Sequence, residues 1–202
     1  KVMNIREDKR GFSLIELIIT MAIMAVFAGA IIGGLAYINV GKTKKASAKL
    51  NNQITKIQTA TMTKKGVTYL YIYRTSDGIY SSMASDTTDS DGDGVPDGYK
   101  NRLDLDAAIT AGNVSQIKLC DSSVTIKGSD AGAAATTLDN DNMLKIGYSK
   151  GTGSFIYSNN GTVTGGKAMT EMPFYSTIEL SGKEKFTIQL VKTTGKHFIK
   201  ES

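Results

Sequence analysis

Histidine and cysteine occur once each, proline twice and tryptophan not at all in these 202 residues. The lone Cys120 excludes an intrachain disulfide and reads as a small buried hydrophobe rather than a reactive thiol. The lone His197 excludes a metal centre built on several histidines. A catalytic triad would have to use His197 as its base, and nothing in the sequence points to a nucleophile for it, so the reading is of a protein that is not an enzyme. The residues beyond the first forty or so are numerous enough to bury a core without covalent staples.

Acidic residues are also missing where basic ones collect. The stretch 42–74 holds Lys42, Lys44, Lys45, Lys49, Lys56, Lys64, Lys65 and Arg74 with no acid, whereas 77–141 holds twelve acids against four bases. The last stretch, 142–202, returns to eight bases against four acids, and the formal net charge is +5. Solvated faces account for most of this. A basic stem and an acidic middle can also complement each other between stacked copies of the chain, and a basic stem suits an anionic lipid surface. No interleaved aromatics accompany the lysines, so DNA is not an expected partner.

What is present in abundance is one apolar run. From Phe12 to Ile38 the side chains are mostly aliphatic, and the only charged one is Glu16. As a helix this run would be about 40 Å long, enough to cross a bilayer core. A carboxylate within such a run costs about 2.5–3.5 kcal/mol at a helix centre, which points to a function and a hidden partner. Gly29, Gly33 and Gly34 are weak points in the helix, suited to close packing or to local melting in an assembly.

Lys9 and Arg10, then Gly11, then Phe12-Ser-Leu-Ile-Glu16 precede and open the run. This junction resembles the class III signal of type IV pilins and pseudopilins. The resemblance implies cleavage after Gly11 by a prepilin peptidase, with Phe12 as the new N-terminus and the site of N-methylation. It also implies that Glu16 compensates the Phe12 amine of a neighbouring subunit during assembly. Residues 1–11 are then a leader peptide, 12–38 a transmembrane and assembly helix, 39–65 its amphipathic continuation, and 66–202 a globular head with an acidic loop at 86–106. The implied fold is α+β: a long N-terminal helix packed against an antiparallel sheet. The disulfide-bounded loop common in Gram-negative relatives cannot form here.

The remaining chain is read from its periodicity. Between Val40 and Lys65, Ala46, Leu50, Ile54, Ile57, Ala60 and Thr61 recur at helical spacing, and Gly66 marks a stop. The run Val67–Tyr73 suits either a strand or a helical turn packed on the stem, and after Asp77-Gly78 more than twenty residues look polar. Asp104–Ala111 reads as a short helix ended by Gly112, and Gln116–Leu119 and Ser123–Lys127 as short strands. Residues 128–142 read as a loop. Leu144–Ser149 with Ser154–Tyr157, and Thr177–Leu180 with Lys185–Val191, read as hairpins, and His197–Ile199 as a last strand.

One further motif carries chemistry. Asp89, Asp91 and Asp93, followed by Gly94, Val95 and Asp97, resemble the first half of a calcium loop of the thrombospondin type 3 or dockerin kind. The three alternating aspartates and the Val95 carbonyl would be ligands, with Asp97 acting directly or through water. The twelfth position is Lys100 instead of a bidentate glutamate, so Asp104 or Asp106 would have to stand in. The competing reading is a flexible Asp/Gly turn with solvated charges. Gly161 to Lys167 has the glycine–lysine part of a phosphate loop, but Ala168 replaces the magnesium-binding hydroxyl and a surface turn is the better reading.

The expected role is therefore a structural subunit of a type IV pilus serving adhesion, motility or surface interaction. It would sit in the membrane as a single-pass protein and afterwards at the cell surface in a homopolymer. The expected partners are other pilin subunits, the prepilin peptidase and the assembly machinery. The alternatives are a minor pilin, a pseudopilin of a secretion or DNA-uptake system, and a membrane-anchored calcium-binding surface protein that never polymerises.

Overall fold

The computed structural model describes residues 13–87, 97–130, 134–156, 158–159, 162–163 and 174–201. The chain divides into two compact units, 1–39 and 40–202. Helix α1 (Leu14–Thr63) opens in the first and ends in the second. Gly66, at φ +80°, then turns the chain; a Cβ there would lie 2.0 Å from the Asp86 carbonyl oxygen, so only glycine fits.

The second unit is built from antiparallel strands. Strands β1 (Val67–Thr75) and β2 (Gly78–Asp86) form a hairpin. Helix α2 (Arg102–Thr110) follows, then β3 (Gln116–Cys120), β4 (Thr125–Ser129), β5 (Thr136–Thr137) and β6 (Met143–Gly147). The short pair β7 (Ser158–Asn159) and β8 (Thr162–Val163) precedes β9 (Thr177–Ser181), β10 (Lys185–Leu190) and β11 (His197–Glu201). These strands form a four-stranded sheet in the order β3-β2-β1-β6 and a five-stranded sheet in the order β11-β10-β9-β4-β5. The expected α+β class with antiparallel strands is what the structure shows. The strands divide between two main sheets where a single sheet was expected.

Burial explains the division. Ala46, Leu50, Ile54 and Ile57 of α1 join one core cluster with Leu70, Ile72 and Leu144 of the first sheet and Ile126, Ile178, Leu180 and Ile188 of the second. In the second sheet buried and more exposed residues alternate along β9 and β10, as expected for one packed and one solvated face. Strand β1 differs because it is buried on both faces. Leu70 and Ile72 face the helix-side core, whereas Val67, Tyr69, Tyr71 and Tyr73 enter a second cluster with Leu105 and Ala108 of α2.

Helix α2 starts where the Asn101 side chain accepts from the Asp104 N–H at 2.9 Å, satisfying one of the open donors of the first turn. It ends at Gly112, which adopts φ +75°. Arg102 stacks its guanidinium 4.1 Å above the Tyr73 ring and donates to the Arg74 carbonyl at 3.0 Å, which fixes the helix to β1.

Three segments depart from the sequence reading, the first being the expected 128–142 loop, within which Thr136–Thr137 pairs as β5 with the end of β4. Residues 78–86 form β2 where a polar stretch was expected, because Ser81 and Ser82 are small enough to be buried and Ser82 shares a 3.0 Å hydrogen bond with Tyr73. The expected hairpin around 149–153 shrinks to an isolated bridge between Tyr148 and Phe155 beyond β6. The Gly161–Lys167 turn lies almost wholly outside the described residues.

Ile54 is fully buried where the helix meets the core. Ile54→Ala should cost about 2–5 kcal/mol, seen as a lowered urea midpoint of the detergent-solubilised chain by tyrosine fluorescence; an unchanged midpoint would contradict this packing.

Candidate functional site

Two regions hold the residues singled out by the sequence: the start of α1 and the base of the acidic loop. Gly11 and Phe12 lie outside the described residues. From Leu14 onward, large apolar side chains project all round the helix: Leu14, Ile15, Leu17, Ile18, Ile19, Met21, Ile23, Met24, Val26 and Phe27 are at least half exposed. The segment Leu14–Ile31 has a mean hydropathy of 2.4 and is, by length and composition, able to cross a membrane. A helix apolar on every side needs lipid or other apolar helices around it.

Glu16 interrupts this surface. Its Oε2 accepts from the Ser13 N–H at 3.1 Å, the glutamate half of a capping box written Ser13-Leu-Ile-Glu16. The sequence signal for this was the S-x-x-E spacing, and the sequence reading did not use it. Glu16 thus has a local task within one chain, capping the helix start. Its carboxylate remains exposed to the surroundings of the helix, where a cation from another molecule can reach it.

The acidic loop is seen only at its ends, since Asp89, Asp91, Asp93 and Val95 lie outside the described residues. The ends are tied together: the Gly98 N–H donates to Asp86 Oδ2 at 2.9 Å, and the Thr87 N–H to Asp86 Oδ1 at 2.7 Å. Gly98 adopts φ +62° and presses on the Tyr69 and Tyr71 side chains so closely that a Cβ would collide with both. The Tyr71 hydroxyl accepts from the Tyr99 N–H at 2.8 Å.

Asp97 is buried at this base. Its carbonyl accepts a very short hydrogen bond from Lys145 Nζ, and that ammonium lies 4.5 Å from the centre of the Tyr69 ring. Lys100 Nζ stands 3.9 Å from Asp97 Oδ1. Of the two proposed stand-ins for the twelfth ligand, Asp106 is held by Arg102 Nε at 2.8 Å to each oxygen, whereas Asp104 is exposed at the first turn of α2. Among the described residues no group of three metal-ligating side chains comes together.

Cys120 is buried at the end of β3, and burial pushes its thiol up to about 11, so it carries no thiolate at neutral pH. His197 holds the last strand to the helix. Its Nε2 lies 3.0 Å from Thr55 Oγ1, and its Nδ1 lies 3.1 Å from the Tyr148 hydroxyl, which donates to the Gly195 carbonyl at 3.1 Å. This cluster was not foreseen, because Thr55, Tyr148 and His197 are far apart in sequence.

Residues 6–32 match the family model of the prokaryotic N-terminal methylation motif. No curated protein and no solved structure matches the chain. The match and the helix geometry together define the class: the chain carries a class III prepilin signal leading into an apolar helix. That signal places the chain with membrane-anchored precursors that a prepilin peptidase processes for pilus-type polymers.

Partial burial lowers the His197 pKa below the ordinary 6.5, opposed by the Gly195 carbonyl. A histidine with a lowered folded-state pKa contributes stability that is fully present above about pH 6.5 and lost as the pH falls through its folded value. Denaturant midpoints of wild type and His197→Gln between about pH 7.5 and pH 5 should therefore converge as the pH drops; a gap that widens would contradict the sign.

Proposed function

We propose that the chain is a structural subunit of a type IV pilus, cleaved after Gly11, methylated on Phe12 and polymerised through its N-terminal helix. The observation that carries this reading is the prepilin signal joined to a helix whose apolar surface is exposed on every side. Such a surface is stable in lipid, and it is equally stable packed against identical helices in a filament core. The subunit can then pass from one to the other without exposing it to water. Glu16 sets the step. Its carboxylate and the Phe12 amine of the next subunit are each costly in an apolar surrounding, and pairing them favours the one axial offset that joins them.

The role is structural rather than catalytic, and the surface filament would serve adhesion, motility or surface interaction. A minor pilin or a pseudopilin of a secretion or DNA-uptake system uses the same helix in the same way, so the physics of α1 supports each of them. A membrane-anchored surface protein that never polymerises would need no partner for Glu16.

We also propose that the acidic loop takes calcium through Asp89, Asp91, Asp93 and the Val95 carbonyl, with Asp97 acting through water. Support comes from the loop base, where the Asp86–Gly98 bond brings the two ends of the acidic segment together. Lys100, 3.9 Å from the Asp97 carboxylate, competes with direct ligation by that residue.

Glu16→Ala should leave the head folded and the chain in the membrane while abolishing filaments, scored by electron microscopy of sheared surface material; normal filaments would exclude the assembly role. For the loop, a site of the usual extracellular strength should stabilise the protein by about 1.4–2.7 kcal/mol at about 10 mM calcium. Calorimetry without heat, together with an unchanged melting temperature, would exclude the metal.

A further inference from the structure

The basic stem noted in the sequence becomes a defined surface in the second unit. Lys42, Lys45 and Lys49 of α1 line one side of an open cleft of about 250 Å³, with Lys118, Leu119, Cys120 and Asp121 at the end of β3 forming the other. Two of the four ammonium groups are answered by carboxylates. Lys42 Nζ lies 2.8 Å from Asp121 Oδ2, and Lys118 Nζ lies 3.0 Å from Asp77 Oδ2. Asp77 is itself held by the Thr75 and Tyr80 hydroxyls at 2.7 and 2.8 Å, which fixes the Lys118 end of the cleft.

Lys45 and Lys49 have no carboxylate partner among the described residues. Lys49 Nζ donates to the Lys118 carbonyl at 3.2 Å, a neutral acceptor that orients the ammonium without cancelling its charge. The cleft therefore keeps a positive surplus, which suits an anionic ligand.

The sequence says where such a ligand is met. Lys42 follows Ile38, the end of the apolar run, by four residues, and Lys49 by eleven. Lys42, Lys45 and Lys49 are thus among the first charged side chains after the run, and a basic cluster next to a membrane-spanning run is attracted to an anionic bilayer surface.

We propose that this cleft binds the phosphate of anionic phospholipid headgroups and holds the head at the bilayer surface while the subunit is stored there. The proposal rests on the membrane storage inferred above. It adds a partner, the anionic lipid, and a consequence: withdrawal from the membrane requires this contact to be released as well as the apolar helix.

The test uses the full chain in lipid nanodiscs, of phosphatidylcholine alone or with a minority of phosphatidylglycerol. Lysine acetylation rates are read by mass spectrometry. Lys45 and Lys49 should be protected only in the anionic discs and lose that protection at high salt, while the exposed Lys183 and Lys196 react equally in both. With Lys45→Gln, half-protection of Lys49 should need roughly fivefold more anionic lipid, the effect of one charge near such a surface, and Lys49→Gln should do the same to Lys45.

Incorporation into both discs with equal Lys45 and Lys49 reactivity overturns the headgroup site and leaves the anchor reading standing. Failure to incorporate at all overturns the anchor reading and the proposal with it. Protection by free glycerol phosphate or by a short DNA duplex, with none from phosphatidylglycerol, overturns the lipid assignment in favour of a soluble ligand.

Discussion

Leu50, Ile54 and Ile57 leave water by packing into one cluster with residues of both sheets, and the remaining elements of the head are placed by that burial. Ala46 starts the stripe, where its small side chain is fully buried. Polar ties then fix the sheets against the helix. Thr61 accepts from the Thr68 N–H at 3.1 Å, Lys49 reaches the Lys118 carbonyl, and Thr55 meets His197. With the helix-side core filled, the tyrosines on the other face of β1 need a second cover, which α2 supplies through Leu105 and Ala108.

The same helix has an opposite character at its start. From Leu14 to Ile31 no side chain is covered by the chain itself, and a surface of that composition cannot stay in water. One helix therefore carries two solvation requirements: an amphipathic half satisfied within the fold, and an apolar half that only lipid or other subunits can satisfy. Glu16 lies in the second half and is the one position where the demand is electrostatic as well as apolar. Its bond to the Ser13 N–H shows how the carboxylate is accommodated within a single chain.

The helix, its amphipathic stripe and the class of the head were legible in the sequence because each rests on a period or on a local stop. The spacing of Leu50, Ile54 and Ile57 marks the buried stripe, and Gly66 and Gly112 mark turns that need positive φ. Strand β1 was left ambiguous for a physical reason. A strand buried on both faces loses the alternation that identifies strands, and Val67–Tyr73 reads as a continuous apolar run. Strand β2 was hidden in the opposite way, since its buried serines and Asp86 read as a polar loop. The ion pairs around Lys42 and Lys118 and the His197 cluster depend on strand order, which the separate segments do not reveal. The prepilin signal was legible because it is local: a glycine, a phenylalanine and a glutamate within a few residues at the head of an apolar run.

The central claim is that this chain is processed and then polymerised through the helix that begins at Phe12. The most direct measurement is N-terminal sequencing and intact mass of the protein recovered from sheared surface filaments. The account predicts a polypeptide that starts at Phe12 and carries one extra methyl group on its amine. Filament-borne protein that still carries Lys9-Arg10-Gly11, or the processed chain found only in the membrane fraction, would contradict it.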